Sequence, residues 1–374
     1  MIFVNYGGGG LWLFEHIPWD GLTFADLLFP WFVWIMGVSM AISLRSMRRK
    51  CVPLSEIFFK ILSRSVKLFL LGLILNSMGK NNDISKLRIP GVLQRFAVSY
   101  FVVASMHMFF SRATDAAETA KWAKIRDVAL YWQEWVMMIS LVAIHVLLTF
   151  LLDVPDCPKG YLGPGGLHEN GTHFNCTGGA AGYIDRVVLG PNHMYGHPTT
   201  EKIYETSQPF DPEGVLGCLT SIFLTFLGLQ AGKILLTFNN PGRRLSRWIC
   251  WGVLLGLLAG ILCGFSKEDG WIPINKNLWS LSYVLCTAGL AFLLLSVFYL
   301  IIDVLALWSA VPFIYPGMNS ILVYVGHALV TDMLPWFWAG PETHWRYMAM
   351  NLGGAYIWVL IAYVLHENRV YLAL

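Results

Sequence analysis

Apolar residues fall in long uninterrupted blocks separated by short polar stretches. Nine blocks reach roughly the twenty residues that an α-helix needs to cross the hydrocarbon of a bilayer. They cover 24–44, 57–77, 91–110, 135–152, 214–236, 248–265, 278–302, 318–337 and 352–371. Residues 1–6 read as the last turns of one more. Backbone N–H and C=O groups have no water to bond inside a membrane, so blocks of this length predict helices. The pattern predicts an all-α, polytopic transmembrane bundle: about nine full spans plus the end of another, in one transmembrane domain over 1–374, with one long polar loop at 154–213.

The charged residues orient that bundle. Arg45, Arg48, Arg49 and Lys50 follow the first full block; Arg112, Lys121, Lys124 and Arg126 follow the third; Arg243, Arg244 and Arg247 follow the fifth. Loops rich in Lys and Arg stay in the cytosol. Loops 79–90, 154–213, 266–277 and 338–350, together with His16, then face the other side, and the tail from His366 is cytosolic. The long loop fits a lumenal place on separate grounds. It holds two glycosylation sequons, at Asn170 and Asn175, and two cysteines, Cys157 and Cys176, able to pair in an oxidising compartment.

Composition sharpens the class without changing it. Hydrophobic residues make up 56% of the chain and charged ones 13%, more apolar than a soluble core requires. No basic run is interleaved with aromatics, so nucleic acid is not an expected partner. Cys51, Cys218, Cys250, Cys263 and Cys286 lie in or beside apolar blocks and read as small hydrophobes. The chain has no HExxH, CxxC pair or GxSxG, so neither a metal nor a serine nucleophile is expected.

Candidate chemistry concentrates in residues 5–30, NYGGGGLWLFEHIPWDGLTFADLLFP. Histidine as a residue type can exchange a proton near neutral pH, so His16 suits a general base; beside Trp12, Phe14 and Trp19 it equally suits an interfacial aromatic belt. Asp26 lies three residues after Thr23, which fits a capping box, and it could instead orient His16. Lys60, Arg64 and Lys67 share one helix face; with Arg48, Arg49, Arg243 and Arg244 they form either a cationic wall for the phosphates of a nucleotide-bearing cofactor or a set of snorkelling side chains. Arg88 and Arg95 flank the start of the third block, where they could hold an acidic sugar polymer or anchor headgroups. Asn275, Lys276, Asn277, Trp279 and Ser280 open the seventh, with amides and an indole suited to a sugar ring or to an interface. His107, His145 and His327 read as interhelical hydrogen-bonding residues.

Several of these stretches together resemble the lysosomal membrane heparan-alpha-glucosaminide N-acetyltransferase family. The likeness is carried by Asn5-Tyr-Gly-Gly-Gly, by Trp19-Asp-Gly-Leu-Thr-Phe-Ala-Asp-Leu-Leu-Phe-Pro-Trp-Phe, by Arg88-Ile-Pro-Gly-Val-Leu-Gln-Arg95 and by the loop CPKGYLGPGGLHENGTHFNCTGG. It extends from Val4 through the last block. The resemblance implies that His16 is catalytic with Asn5 beside it, and that acetyl-coenzyme A binds from the cytosol. It further implies that the acetyl group passes to the terminal glucosamine amine of heparan sulfate in the lumen. Transfer could be direct, or pass through an acetylated His16. Against that family the chain reads as a fragment or an N-terminally shortened form, lacking a lumenal domain, a first span and an Asp-Thr-Phe-Arg-Gly motif; a homodimer is an open expectation. The alternatives of similar architecture are a sugar-binding transporter and a sugar O-acyltransferase.

Overall fold

The computed structural model describes residues 1–78, 83–111, 125–196, 198–267, 270–331 and 333–372. Among them the only β-type pairing is an isolated bridge between Asp20 and Asn275; everything else regular is helical. The longer helices are α1 (Phe24–Arg49), α2 (Leu54–Ser77), α3 (Val92–Phe110), α4 (Trp132–Leu151), α5 (Gly179–Val188), α6 (Val215–Thr237), α7 (Pro241–Leu262), α8 (Leu281–Phe298), α9 (Ser320–Leu329) and α10 (His344–Glu367). A π-helical turn, Tyr299–Val304, extends α8. Seven helices among the described residues are long and apolar enough to cross a membrane: α1, α3, α4, α6, α7, α8 with its extension, and α10.

The other two expected spans differ for identifiable reasons. The second block is helical over Leu54–Ser77, but Glu56, Lys60, Arg64 and Lys67 make α2 too charged to qualify on composition. The block 318–337 is not one helix. A short helix, Ile314–Met318, is followed by α9, which ends at Leu329. Pro335 lies beyond it and bars a helical continuation by disfavouring the α conformation at Leu334. Residues 1–6 hold a single helical turn, Ile2–Asn5. Of the basic residues used for orientation, Arg112, Lys121 and Lys124 lie outside the described residues.

The chain divides into two compact units. The first comprises Met1–Ile17, Leu22–Phe29 and Val297–Leu374. Its core is built from Val323 of α9 and Trp358 and Ala362 of α10, with Ile2 and Tyr6 packed against them. Gly7 to Gly10 all have positive φ, between 57° and 109°, a run that only glycine adopts without strain. A side chain on Gly8 would strike Phe14, and one on Gly9 would press on Met348 in α10, its thioether first. The glycine quartet is thus a tight turn laid against a helix.

The second unit comprises Pro18–Gly21 and Pro30–Ser296, with α6 at its centre. Nearly every residue from Leu216 to Ile234 is buried. Small residues make this contact possible: a side chain on Gly37 would collide with the Thr225 carbonyl, and one on Gly228 with the Trp34 carbonyl. Gly228 and Gly232 form a GxxxG pair that lets α6 approach α1 backbone to backbone. The long loop is ordered by α5, by a disulfide between Cys157 and Cys176, and by Trp19, whose indole N–H donates to the Leu162 carbonyl at 2.8 Å.

Candidate active site

His16 and Asp26 are brought together within the first unit. Thr23 and Asp26 open α1 with one arm of a capping box: the Thr23 N–H donates to Asp26 Oδ2 at 3.2 Å, while the Asp26 N–H donates to the Thr23 backbone carbonyl at 3.2 Å. The Ile17 N–H also reaches Oδ2, at 3.3 Å. The Thr23 hydroxyl lies 2.9 Å from Oδ2 and 2.7 Å from the Glu15 carbonyl, and donates to one or the other. The second carboxylate oxygen, Oδ1, meets His16 Nδ1 at 2.7 Å. Asp26 therefore meets both sets of partners: Oδ2 faces the N–H groups of Ile17 and Thr23 at the helix start, while Oδ1 faces the imidazole.

The burial of the pair is asymmetric, with side-chain exposures of 48% for His16 and 1% for Asp26. A buried carboxylate accepting at Nδ1 fixes the proton there, which makes Nε2 the basic nitrogen of the neutral ring.

Asn5 closes the turn Ile2–Asn5, and its amide meets His327 Nε2 at 2.8 Å. His327 Nδ1 faces the Val323 carbonyl at 3.3 Å, so this buried imidazole is engaged at both nitrogens, as an interhelical bonding residue should be. Trp358 donates to the Tyr6 hydroxyl at 2.8 Å and fastens the same turn to α10. Asn5 is thereby an amide held by His327, on a turn tied to α10.

The remaining candidates lie in the second unit. Arg88 makes a bidentate pair with Asp211, at 2.6 and 2.8 Å, and reaches Glu213 at 2.5 Å. Burial works against its charge, but the bonds to Asp211 and its two anionic neighbours more than offset this and hold its pKa above the ordinary arginine value. Arg95 is fully buried; its Nη2 donates to the Gly214 carbonyl at 2.9 Å and its guanidinium stacks 4.6 Å from the Trp279 ring centroid. Asn275, Asn277 and Ser280 build their own turn. Asn275 donates to Asp20 at 3.0 Å, Asn277 to the Pro18 carbonyl at 2.8 Å, and Ser280 to the Pro273 carbonyl at 2.8 Å. Lys276 is half-buried beside them.

The cationic residues separate into helix-capping, ring-stacked and exposed groups. Arg48 donates to the Met108 carbonyl at the end of α3, and Arg244 to the Phe238 carbonyl at 2.5 Å beyond α6. Arg64 lies over the Tyr100 ring at 4.8 Å, and Lys60 pairs with Glu56 at 2.7 Å in an exposed bridge. Arg49 and Arg243 are exposed. Asn170 and Asn175 are exposed as well.

A charged network absent from the sequence reading lies near the same helix ends. His107 Nδ1 meets Glu134 at 2.8 Å, the other Glu134 oxygen bonds Lys233, and the Lys233 ammonium sits 3.9 Å from the Tyr131 ring centroid. Asp127 pairs with Arg247 at 2.7 Å and accepts from Gln230 at 3.1 Å. A lone lysine inside the apolar block 214–236 was the signal, because a charge at that depth requires a partner. Among the described residues no group of three or more His, Cys, Asp or Glu is arranged to hold a metal ion.

These features define a multi-pass helical membrane protein with a histidine–carboxylate pair at the start of one long helix. No family model matches the chain. It is 45% identical to heparan-alpha-glucosaminide N-acetyltransferase of Mus musculus and of Homo sapiens, in each case over 379 aligned positions and 99% of its own length. It spans 58% and 57% of the length of those curated relatives. Over its own length the chain is therefore similar to these two acetyltransferases.

Proposed function

We propose that the chain is a membrane acetyltransferase that moves an acetyl group from cytosolic acetyl-coenzyme A to the terminal glucosamine amine of heparan sulfate on the lumenal side of the lysosomal membrane. The observation that carries this reading is the 2.7 Å contact between His16 and the buried Asp26, in a chain with two acetyltransferase relatives over its whole length.

In the proposed reaction His16 Nε2 takes a proton from the glucosamine ammonium, and the neutral amine attacks the thioester carbonyl. The C–N bond forms, the C–S bond breaks, and the thiolate of coenzyme A leaves and takes up the second proton lost by the attacking nitrogen, while His16 releases the first to solvent. Asp26 holds the ring and stabilises the imidazolium that forms. Asn5, anchored through His327, is the amide donor assigned to the developing oxyanion. Arg49, Lys60, Arg64 and the exposed Arg243 are assigned to the donor's phosphates, with Arg48 and Arg244 contributing charge while they cap helices. Arg88, Arg95, Asn275, Lys276, Asn277, Trp279 and Ser280 shape the acceptor side. Lys276 is the candidate for direct contact, and the others hold its surroundings. Asn170 and Asn175 are assigned as glycan carriers.

The test is transfer of radiolabelled acetyl from acetyl-coenzyme A to a glucosamine-terminated oligosaccharide by membranes carrying the chain. Product should depend on His16 and appear as the N-acetyl sugar. Transfer by His16→Ala at the wild-type rate removes His16 from the mechanism, and an O-acetyl product would reassign the acceptor.

A further inference from the structure

A cavity of about 660 Å³ runs along one face of α7 in the second unit. Its lining follows the helix repeat: Arg243, Ser246 and Arg247 at one end, then Trp251 and Leu254, with Phe238 at the side. From Arg243 to Leu254 the stripe is about 16 Å long at 1.5 Å per residue, close to the thickness of one leaflet of a bilayer. The two ends differ in chemistry. The first turns of α7 are basic, and everything beyond Arg247 on this face is apolar.

The basic end is prepared for an anion. Asp127 fixes Arg247 at 2.7 Å, and the Arg247 guanidinium lies 4.1 Å from the Phe238 ring centroid, so its position is set in advance. Arg126 lies over the same ring at 5.3 Å, donates to the Thr237 carbonyl at 2.7 Å, and has a buried Nε without a protein partner. Arg243 is exposed beside them. The apolar end opens sideways: Leu254 is 50% exposed, as are Val253 and Leu257 nearby at 48% and 51%, on a helix apolar enough to cross a membrane. A small soluble anion would satisfy the arginines and leave Trp251 and Leu254 bare. A molecule with an anionic head and an acyl tail satisfies both ends.

We propose that this cleft binds an anionic phospholipid. The headgroup phosphate lies against Arg243 and Arg247, and one acyl chain runs along Trp251 and Leu254. Basic recesses between membrane helices bind lipid headgroups by this combination of charge and apolar contact. The proposal does not depend on the acetyl-transfer reading, but it competes with that reading for Arg243.

Native mass spectrometry of the full chain in detergent tests it, with dioleoyl phosphatidylserine, dioleoyl phosphatidylcholine, inorganic phosphate and coenzyme A as probes. One phosphatidylserine should remain bound, with about ten-fold preference over phosphatidylcholine. Arg243→Gln should weaken retention about five-fold, the contribution of one arginine, and Ser246→Trp, which fills the cleft, should abolish it. Neither coenzyme A nor phosphate should displace the lipid. Equal retention of the two lipids, or unchanged retention in Ser246→Trp, overturns the proposal. Displacement by coenzyme A overturns it as well and gives the cleft to the acetyl donor; displacement by phosphate alone reduces it to a simple anion site.

Discussion

At the scale of single residues, a carboxylate with two oxygens resolves what the sequence left as a choice. The Thr23-x-x-Asp26 spacing was legible as a cap and the proximity of His16 as an orienting contact, and Asp26 does both because each oxygen faces a different partner. Replacing His16 by Ala should therefore lower kcat by about 10²–10⁴-fold, the usual contribution of a general base. The melting temperature should fall only modestly, since the ring is half exposed but the buried Asp26 loses its Oδ1 partner. Asp26→Asn should lower both: kcat because the tautomer is no longer enforced, and stability by about 1 kcal/mol because a helix cap is weakened. A kcat for Asp26→Asn equal to wild type, measured in detergent with acetyl-coenzyme A, would confine Asp26 to capping. Other residues were illegible because their partners are far away in the chain. Asp185 is one. It is buried, accepts the Val215 N–H at 2.7 Å, and has its pKa pushed from 3.8 up to about 7, first by burial and then by the neighbouring Asp211. A folded-state pKa above the unfolded value means that folding takes up a proton. The native state is thus favoured below about pH 4 and loses this contribution as the pH rises towards 7. Asp185→Asn should raise the melting temperature at pH 7.5 and change it little at pH 4; a gain at pH 4 equal to that at pH 7.5 would refute the assignment.

At the scale of elements, hydropathy located the helices well because a membrane helix must be long and apolar, whatever surrounds it. It is less decisive where local chemistry competes with that rule. Block 318–337 was apolar enough, yet it breaks into short helices ahead of Pro335. Block 57–77 was helical but carries charges at helical spacing. Hydropathy also could not show what a lone charge inside a span meets. Lys233 on α6 is matched by Glu134 at the start of α4, and Glu134 in turn by His107 at the end of α3. Taking one partner from a buried ion pair leaves an uncompensated charge, so Lys233→Met should cost about 3–5 kcal/mol. Adding Glu134→Gln should recover much of that, because the orphaned charge is then removed. Denaturant melts of the four proteins in one double-mutant cycle decide it, and equal, additive losses would show that the pair is not coupled.

At the scale of the whole molecule, the sequence carries two independent signs of orientation, and both involve residues that the structure leaves accessible. Arg48, Arg49 and Lys50 run up to Cys51, which is exposed just past the end of α1. Asn170 and Asn175 are exposed in the loop held by the Cys157–Cys176 disulfide. Basic residues resist translocation, whereas glycans and disulfides are added only after it. In the proposed orientation Cys51 and the sequons lie on opposite faces of the membrane. In sealed microsomes, whose outer face is cytosolic, an impermeant maleimide should label Cys51 without detergent, and Cys51→Ser should lose that label. A glycosidase should shorten the chain by two glycans only after detergent is added, one glycan remaining in each of Asn170→Gln and Asn175→Gln. The proposed reaction depends on this arrangement, since a thioester made in the cytosol and a sugar confined to the lumen share no compartment. If Cys51 is protected while the glycans are open to the enzyme, the chain is inverted relative to the basic loops, and His16 would then face the donor's side alone.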